Sequence, residues 1–214
     1  MPPKVVFTDH TFDSLEIEQS VLGEEVELID GERDDCPIEE LVAGADGILV
    51  MFDEITESVI ERAEQCEIIA RTGIGLDNVA IDAATENDVM VTNVDDYCIE
   101  EVATHAMGML LALERKLMLY TDQVTAGDWD VNEGQPMRRL STQTLGLVGF
   151  GNIAQAVNER AAAFGMDVLA YDPYLDAEEI SSSDAEPVDD FHSLLERADA
   201  ISLHTPLTSE TEGL

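Results

Sequence analysis

The sequence predicts an α/β protein with two open parallel sheets covered by helices, the second sheet incomplete. Three observations predict it. Short apolar runs alternate with helical segments from Val5 to Leu203, the pattern of strand–helix–strand units. Pro37 stands where a helix tolerates proline, in its first turn. The stretch Thr144 to Asp172, TLGLVGFGNIAQAVNERAAAFGMDVLAYD, reads as strand, glycine turn, helix, strand and terminal acid.

Taken in order, Val5, Val6 and Phe7 form a first strand, followed by the polar loop Thr8, Asp9, His10. Ser14 to Leu22 is expected as helix, Val26 to Ile29 as strand, Pro37 to Ala43 as helix, and Ala45 to Phe52 as strand. Ser58 to Gln65 is expected as helix and Ile68 to Arg71 as strand. In open parallel sheets ligands bind beyond the strand carboxyl ends. One such end is Arg71-Thr72-Gly73-Ile74-Gly75-Leu76-Asp77-Asn78, where two glycines expose backbone amides that can hold a small carboxylate with Arg71 as nearby charge. The alternative is a plain turn in which Asp77 caps a helix from Val79 to Glu86. Val89 to Val94 is the next strand.

Ile99 to Leu119 is expected as one long helix, and Ala106 to Leu113 is apolar nearly all round, so it is expected to be buried, with His105 a buried structural histidine. Thr121 to Thr142 lacks a sustained period and reads as a connecting loop. In it Arg138 and Arg139 anchor the loop, meet phosphate or stand as a solvated surface pair. A domain boundary falls near Glu100, giving units 1–99 and 100–214.

The glycine turn is the most informative stretch. Leu145, Leu147, Val148 and Phe150 suit a strand buried on both faces. Gly149 and Gly151 allow a sharp reversal and a close backbone approach by a pyrophosphate, and Ala154 fills the third, small-residue position. Ile153, Ala156, Val157, Ala161 and Phe164 share one helical face, so the helix N-terminus faces the turn as an anion site. Asp172 follows 21 residues after Gly151 (172 − 151), where a carboxylate accepts from a ribose 2′-hydroxyl and repels a 2′-phosphate. The pattern therefore indicates a dinucleotide, NAD in preference to NADP. After an acidic, serine-bearing loop to Pro187, a helix marked by Phe191, Leu194 and Leu195 precedes a strand, Ala198 to Leu203. Its exit, His204-Thr205-Pro206, either borders the cofactor or is a polar strand end stopped by proline.

The chain has 214 residues, with 47 acidic against 10 basic and a formal net charge of −37. Such a surface repels nucleic acid and anionic membranes. Apolar residues still make up 45%, enough for packed cores, so the charge belongs on the surface, where molar salt screens it over about 3 Å. These features are read as a salt-adapted cytoplasmic protein. Cys36, Cys66 and Cys98 show no pairing or metal spacing, so neither a disulfide framework nor a metal site is expected. No leader or membrane-spanning stretch is read in the sequence.

RTGIGLDNVAID, YCIEEVATHAMGMLLALERK, TLGLVGFGNIAQAV, the acid in YDPYL and HTPLTSET together resemble the NAD-dependent D-2-hydroxyacid dehydrogenases. Five separated motifs occur in the family's order, over nearly the whole chain. The likeness is nearest to phosphoglycerate-dehydrogenase-like and C-terminal-binding-protein-like members. The resemblance implies a flavodoxin-like substrate domain and a Rossmann NAD domain, a homodimer built on the long helix, and hydride exchange between NAD(H) and a small D-2-hydroxy or 2-oxo acid. The acid is expected to be phosphoglycerate-, hydroxypyruvate- or glyoxylate-like. The resemblance matches Arg71, Gly73, Ile74 and Gly75 to the substrate loop, with Gly149, Gly151, Asn152, Ile153, Asp172, His204, Thr205 and Pro206 at the cofactor. Asn152 stands where many members carry arginine, and Thr104 where an acid is common. The family's catalytic arginine, glutamate and histidine are expected beyond Leu214, so this chain alone is read as a piece of the enzyme, inactive by itself. The alternative is an NAD(H)-sensing dimeric binding protein similar to the C-terminal-binding-protein corepressors.

Overall fold

The computed structural model describes residues 2–33 and 36–214. They fall into two compact units, Met1–Tyr97 with Leu207–Glu212 and Cys98–Pro206 with Gly213–Leu214.

The first unit runs β1 (Lys4–Phe7), α1 (Glu16–Leu22), β2 (Glu27–Asp30), α2 (Ile38–Leu41), β3 (Gly47–Val50), α3 (Glu57–Arg62), β4 (Ile68–Arg71), α4 (Ile81–Glu86) and β5 (Met90–Thr92). The strands pair in the order β2-β1-β3-β4-β5, all parallel, which is the flavodoxin-like order with its switch point between β1 and β3. Ile48, Val50, Ile55, Val59, Ile60 and Ile69 are buried in its main core. Local chemistry sets the ends. The Thr56 side chain accepts from the Val59 amide at the start of α3, as an N-cap should. Pro37 stands immediately before α2, in extended conformation.

Asp77 does not cap α4. The Ile55 amide donates to the Asn78 carbonyl (2.8 Å) and the Ala80 amide to that of Ile55 (2.9 Å). This bridge holds the chain extended through Val79 and delays the helix to Ile81.

The second unit opens with α5 (Ile99–Glu114) and α6 (Leu117–Ala126), then β6 (Thr144–Val148), α7 (Asn152–Ala163), β7 (Asp167–Tyr171), α8 (Ala177–Ser181), β8 (Glu186–Pro187), α9 (Phe191–Arg197) and β9 (Ala200–Leu203). Its parallel sheet has the order β8-β7-β6-β9. The chain steps outward from β6 through β7 to β8, then returns to β6's other side with β9. That is the first two-thirds of the 3-2-1-4-5-6 dinucleotide fold. One sheet face carries Leu145, Leu147, Val168 and Ala170 against Ala154, Val157 and Ala161 of α7 and Ala103 and Met107 of α5. The other carries Val148, Leu169 and Val188 against Leu194 of α9.

Several expectations are corrected by the structure. The single helix Ile99 to Leu119 is two, because Lys116 adopts φ +51° and breaks the ladder between them; α6 then occupies the first part of the expected loop and ends at Gly127. The apolar middle of α5 is only partly buried. Ala103 and Met107 pack inward, while Val102, Met109 and Leu113 are exposed, Leu113 by 76%. His105 is exposed as well, so it is not a buried structural histidine. The acidic stretch before Pro187 holds α8. The Asp176 carboxylate accepts from the Glu178 and Glu179 amides while Glu179 accepts from the Asp176 amide, a reciprocal cap that offsets the charge density. Arg138 resolves as an anchor. It donates to Asp199 at 2.5 Å, and the same carboxylate accepts from the Thr144 amide at 3.0 Å, fixing the approach to β6.

Gly146 lets α9 close on the sheet. A Cβ there would lie 2.6 Å from Leu194 Cδ2 and 3.0 Å from Ala198 Cβ. Gly146→Ala should therefore lower unfolding free energy by about 1–3 kcal/mol through overpacking. In a Leu194→Ala background the same change should cost less. Denaturant unfolding of the four proteins in that cycle measures the coupling, and equal costs in both backgrounds would contradict the contact.

Candidate functional site

The second unit's candidate site grows from register. Because β6 and β7 pair with Val148 opposite Tyr171, the residues just past each strand, Gly149 and Asp172, emerge side by side at the carboxyl edge. Gly149 has φ +82°, a conformation other residues rarely accept. Its amide still continues the ladder to the Tyr171 carbonyl, at 2.9 Å. The next amide, Phe150, donates to Asp172 Oδ2 at 2.8 Å, and Asp172 Oδ1 accepts from the Tyr174 amide at 2.9 Å. The carboxylate thus pins the turn and its own loop.

On the far side of β6, the His204 amide donates to the Val148 carbonyl at 2.7 Å. A Cβ on Gly149 would stand 2.9 Å from the His204 carbonyl and 3.1 Å from Thr205 Cγ2, so His204 and Thr205 close against the turn at the switch point between β6 and β9. His204 Nε2 lies 2.9 Å from Ser202 Oγ. Burial lowers the pKa of this imidazole below its ordinary value and favours the neutral ring.

What the turn leaves open suits an anion. A Cβ on Gly151 would meet nothing within 4 Å, and no side chain caps α7. Among the described residues, the amides of Gly151, Asn152 and Ile153 have no acceptor in the chain. Three free donors at the positive end of a 12-residue helix form an anion cradle. Pro206 ends the strand exit, exposed to solvent. The residues present fit a dinucleotide: a glycine without obstruction where a pyrophosphate would approach, free amides beyond it, and an acid beside the turn.

A second constellation sits in the first unit, at the carboxyl edge of β4. The Arg71 guanidinium lies against Gly73, where a Cβ would come within 1.8 Å of Nη1; Arg71 Nε is buried without a hydrogen-bond partner. A Cβ on Gly75 would meet Asp77 Oδ1 at 2.6 Å. The loop's carbonyls are tied down, Gly73 by the Val94 amide (3.1 Å) and Ile74 by Asn93 Nδ2 (2.7 Å). The amides of Gly73, Ile74 and Gly75 have no acceptor among the described residues. Free amides next to a guanidinium are the kind of donors a carboxylate requires.

Residues 107–214 match the family model for the D-isomer specific 2-hydroxyacid dehydrogenase, NAD binding domain. The chain belongs to the D-isomer specific 2-hydroxyacid dehydrogenase family. It is 40% identical over 176 residues to a D-3-phosphoglycerate dehydrogenase of Methanocaldococcus jannaschii, covering 82% of this chain and 33% of that protein. It is 35% identical over 209 residues to a hydroxypyruvate reductase of Thermotoga maritima, covering 96% of this chain and 67% of that one. Among solved structures, a D-lactate dehydrogenase from Aquifex aeolicus complexed with NAD and lactic acid superposes with a TM-score of 0.85 at 26% identity, over 97% of this chain and 62% of that chain. The chain thus spans between about a third and two-thirds of the length of these relatives. The second unit is an NAD-binding Rossmann fold of the 2-hydroxyacid dehydrogenases, and its cofactor is NAD.

The cofactor residues expected from sequence, Gly149, Gly151, Asn152, Ile153, Asp172, His204, Thr205 and Pro206, all lie at one carboxyl edge of one sheet. Arg71, Gly73, Ile74 and Gly75 share one loop of the other sheet. Sequence reasoning missed the bracing hydrogen bonds. Its distance from Gly151 marks Asp172 in the sequence, whereas its hold on Phe150 follows from strand register. Ser202, beside His204, carried no signal.

Asp172→Ala removes the acceptor for two amides as well as any ribose contact, so NAD affinity should fall about tenfold or more and discrimination against NADP should shrink. Asp172→Asn keeps one oxygen acceptor and should fall between wild type and alanine. Fluorescence titration with NADH and NADPH reads both; an unchanged cofactor preference in Asp172→Ala would remove the ribose assignment.

Proposed function

We propose that this chain supplies the substrate loop and the NAD site of a D-2-hydroxyacid dehydrogenase that interconverts a small 2-oxo acid and its D-2-hydroxy acid. The observation that carries the reading is the turn at Gly149–Gly151 pinned by Asp172, with three free amides at the switch point of the sheet. When bound, NAD supplies the hydride acceptor or donor. The chain's own residues bind and orient: Gly151, Asn152 and Ile153 offer amides to the pyrophosphate, Asp172 accepts from the ribose, and His204, Thr205 and Pro206 border the pocket. With its ring neutral, His204 adds no positive charge there. Residues 1–99 act as the substrate domain and 100–214 as the NAD domain. Arg71 and the amides of Gly73–Gly75 hold the acid's carboxylate. The arginine, glutamate and histidine that polarise the carbonyl and move the proton in this family are assigned to sequence outside residues 1–214, and the full enzyme needs them.

We further assign a homodimer through α5 and α6. Val102, Met109, Leu113, Leu117 and Met118 are exposed on these consecutive helices, apolar surface that a second copy would cover. Among the described residues no helix is long and apolar enough to cross a membrane. The net charge of −37 supports a cytoplasmic protein of a salt-rich cell, where screening relieves self-repulsion.

The test is paired. NADH binding is titrated in molar KCl with residues 1–214, and the protein extended into the catalytic residues is assayed with hydroxypyruvate and glyoxylate. The dehydrogenase reading expects NADH binding by both proteins and steady turnover by the extended protein alone. Tight NADH binding with dimerisation but negligible turnover in the extended protein would favour the NAD(H)-sensing alternative.

A further inference from the structure

The loops flanking the carboxylate site carry charge that bears on which acid can bind. β1, β3 and β4 are neighbours, and their carboxyl-end loops are fastened together. Asp9, past β1, accepts the Met51 amide on Oδ1 (2.9 Å) and the Phe52 amide on Oδ2 (2.7 Å). On the other side, the Thr72 amide donates to the Val50 carbonyl (2.8 Å) and Asn78 Nδ2 to the Asp53 carbonyl (2.9 Å). The segment Met51-Phe52-Asp53-Glu54 is thereby clamped between Asp9 and the Arg71–Gly75 loop.

Within these three loops the acids are Asp9, Asp13, Asp53, Glu54 and Asp77, and the one cation is Arg71. The nearby Arg33 is engaged with Asp30 at 3.0 Å. Burial, and then the charges of Asp9 and Glu32, push the Asp53 carboxyl above its ordinary pKa, against the lowering effect of a Thr8 hydrogen bond. The segment itself carries two carboxylates, Asp53 and Glu54, and no cation. Phe52 is 66% exposed and offers an apolar surface beside it.

A 2-oxo acid brings one carboxylate, which Arg71 and the free amides of Gly73–Gly75 suffice to hold. A phosphorylated acid brings a further charge near −2, with no second cation in these three loops to receive it and the carboxylates of the Asp53–Glu54 segment beside the loop. We propose that the site selects an unphosphorylated, monoanionic acid with a small uncharged tail, and that Asp53 and Glu54 are the residues that exclude the phosphate. The inference rests on the reading of Arg71–Gly75 as the substrate loop. It separates this chain from what the name of its phosphoglycerate relative would suggest.

Titration calorimetry of the NADH-saturated protein with D-glycerate and with 3-phospho-D-glycerate tests it, since neither acid can be reduced by NADH and both report binding alone. D-Glycerate should bind at least about tenfold tighter than its phosphate. In the Asp53→Asn/Glu54→Gln double variant that ratio should narrow severalfold. Equal or tighter binding of the phosphorylated acid by the wild type overturns the proposal without need of the variant, and so does an unchanged ratio in a folded variant. Binding of neither acid, with NADH still bound, overturns the substrate-loop reading itself and the inference with it.

Discussion

The hydrogen bond from the Phe150 amide to Asp172 is the constraint on which the rest of the nucleotide site depends. It joins the ends of two neighbouring parallel strands, so it can form only if β6 and β7 pair in the observed register. A hydrogen bond to a charged acceptor contributes about 1.5–3 kcal/mol, and here it fixes a turn whose first residue sits at φ +82°. With Phe150 held, the next three amides have no acceptor among the described residues. The strand exit at His204 closes the other side of the turn and leaves room for glycine only.

The first unit solves a similar problem with similar means. Its loop after β4 ties down the carbonyls of Gly73 and Ile74 and leaves the amides free. A chain with 10 basic residues against 47 acidic ones has few side-chain cations to spend on anionic ligands. Backbone donors carry no net charge, are insensitive to the surrounding acids in composition, and are positioned by the fold. The neutral Asn152 at the mouth of the cradle agrees with that design. In the proposed reading an acidic surface and anion recognition coexist because backbone amides supply most of the donors.

Legibility in the sequence followed the range of the interactions. The stretch from Thr144 to Asp172 was readable residue by residue, and β7 has the expected bounds, because strand, turn and helix there are encoded by adjacent residues. The break at Lys116 was not readable: Arg115-Lys116 contains neither glycine nor proline, and apolar spacing runs on through it. Periodicity also says which residues avoid water without saying whether one chain can cover them, so the exposure of Met109 and Leu113 was hidden. The reciprocal cap of α8 was present in Asp176 and Glu179 but obscured by the surrounding acids. Asp9 and the second role of Asp172 depend on which strands are neighbours, information that no local pattern contains.

Hydrogen–deuterium exchange of the 214-residue chain with and without NAD tests the central claim most directly. If the cradle is formed as described, NAD should slow exchange in peptides containing Gly151, Asn152 and Ile153, while the Phe150 amide, held by Asp172, is already protected without it. Slowed exchange confined to other segments, or a Phe150 amide that exchanges freely in the absence of NAD, would contradict the account.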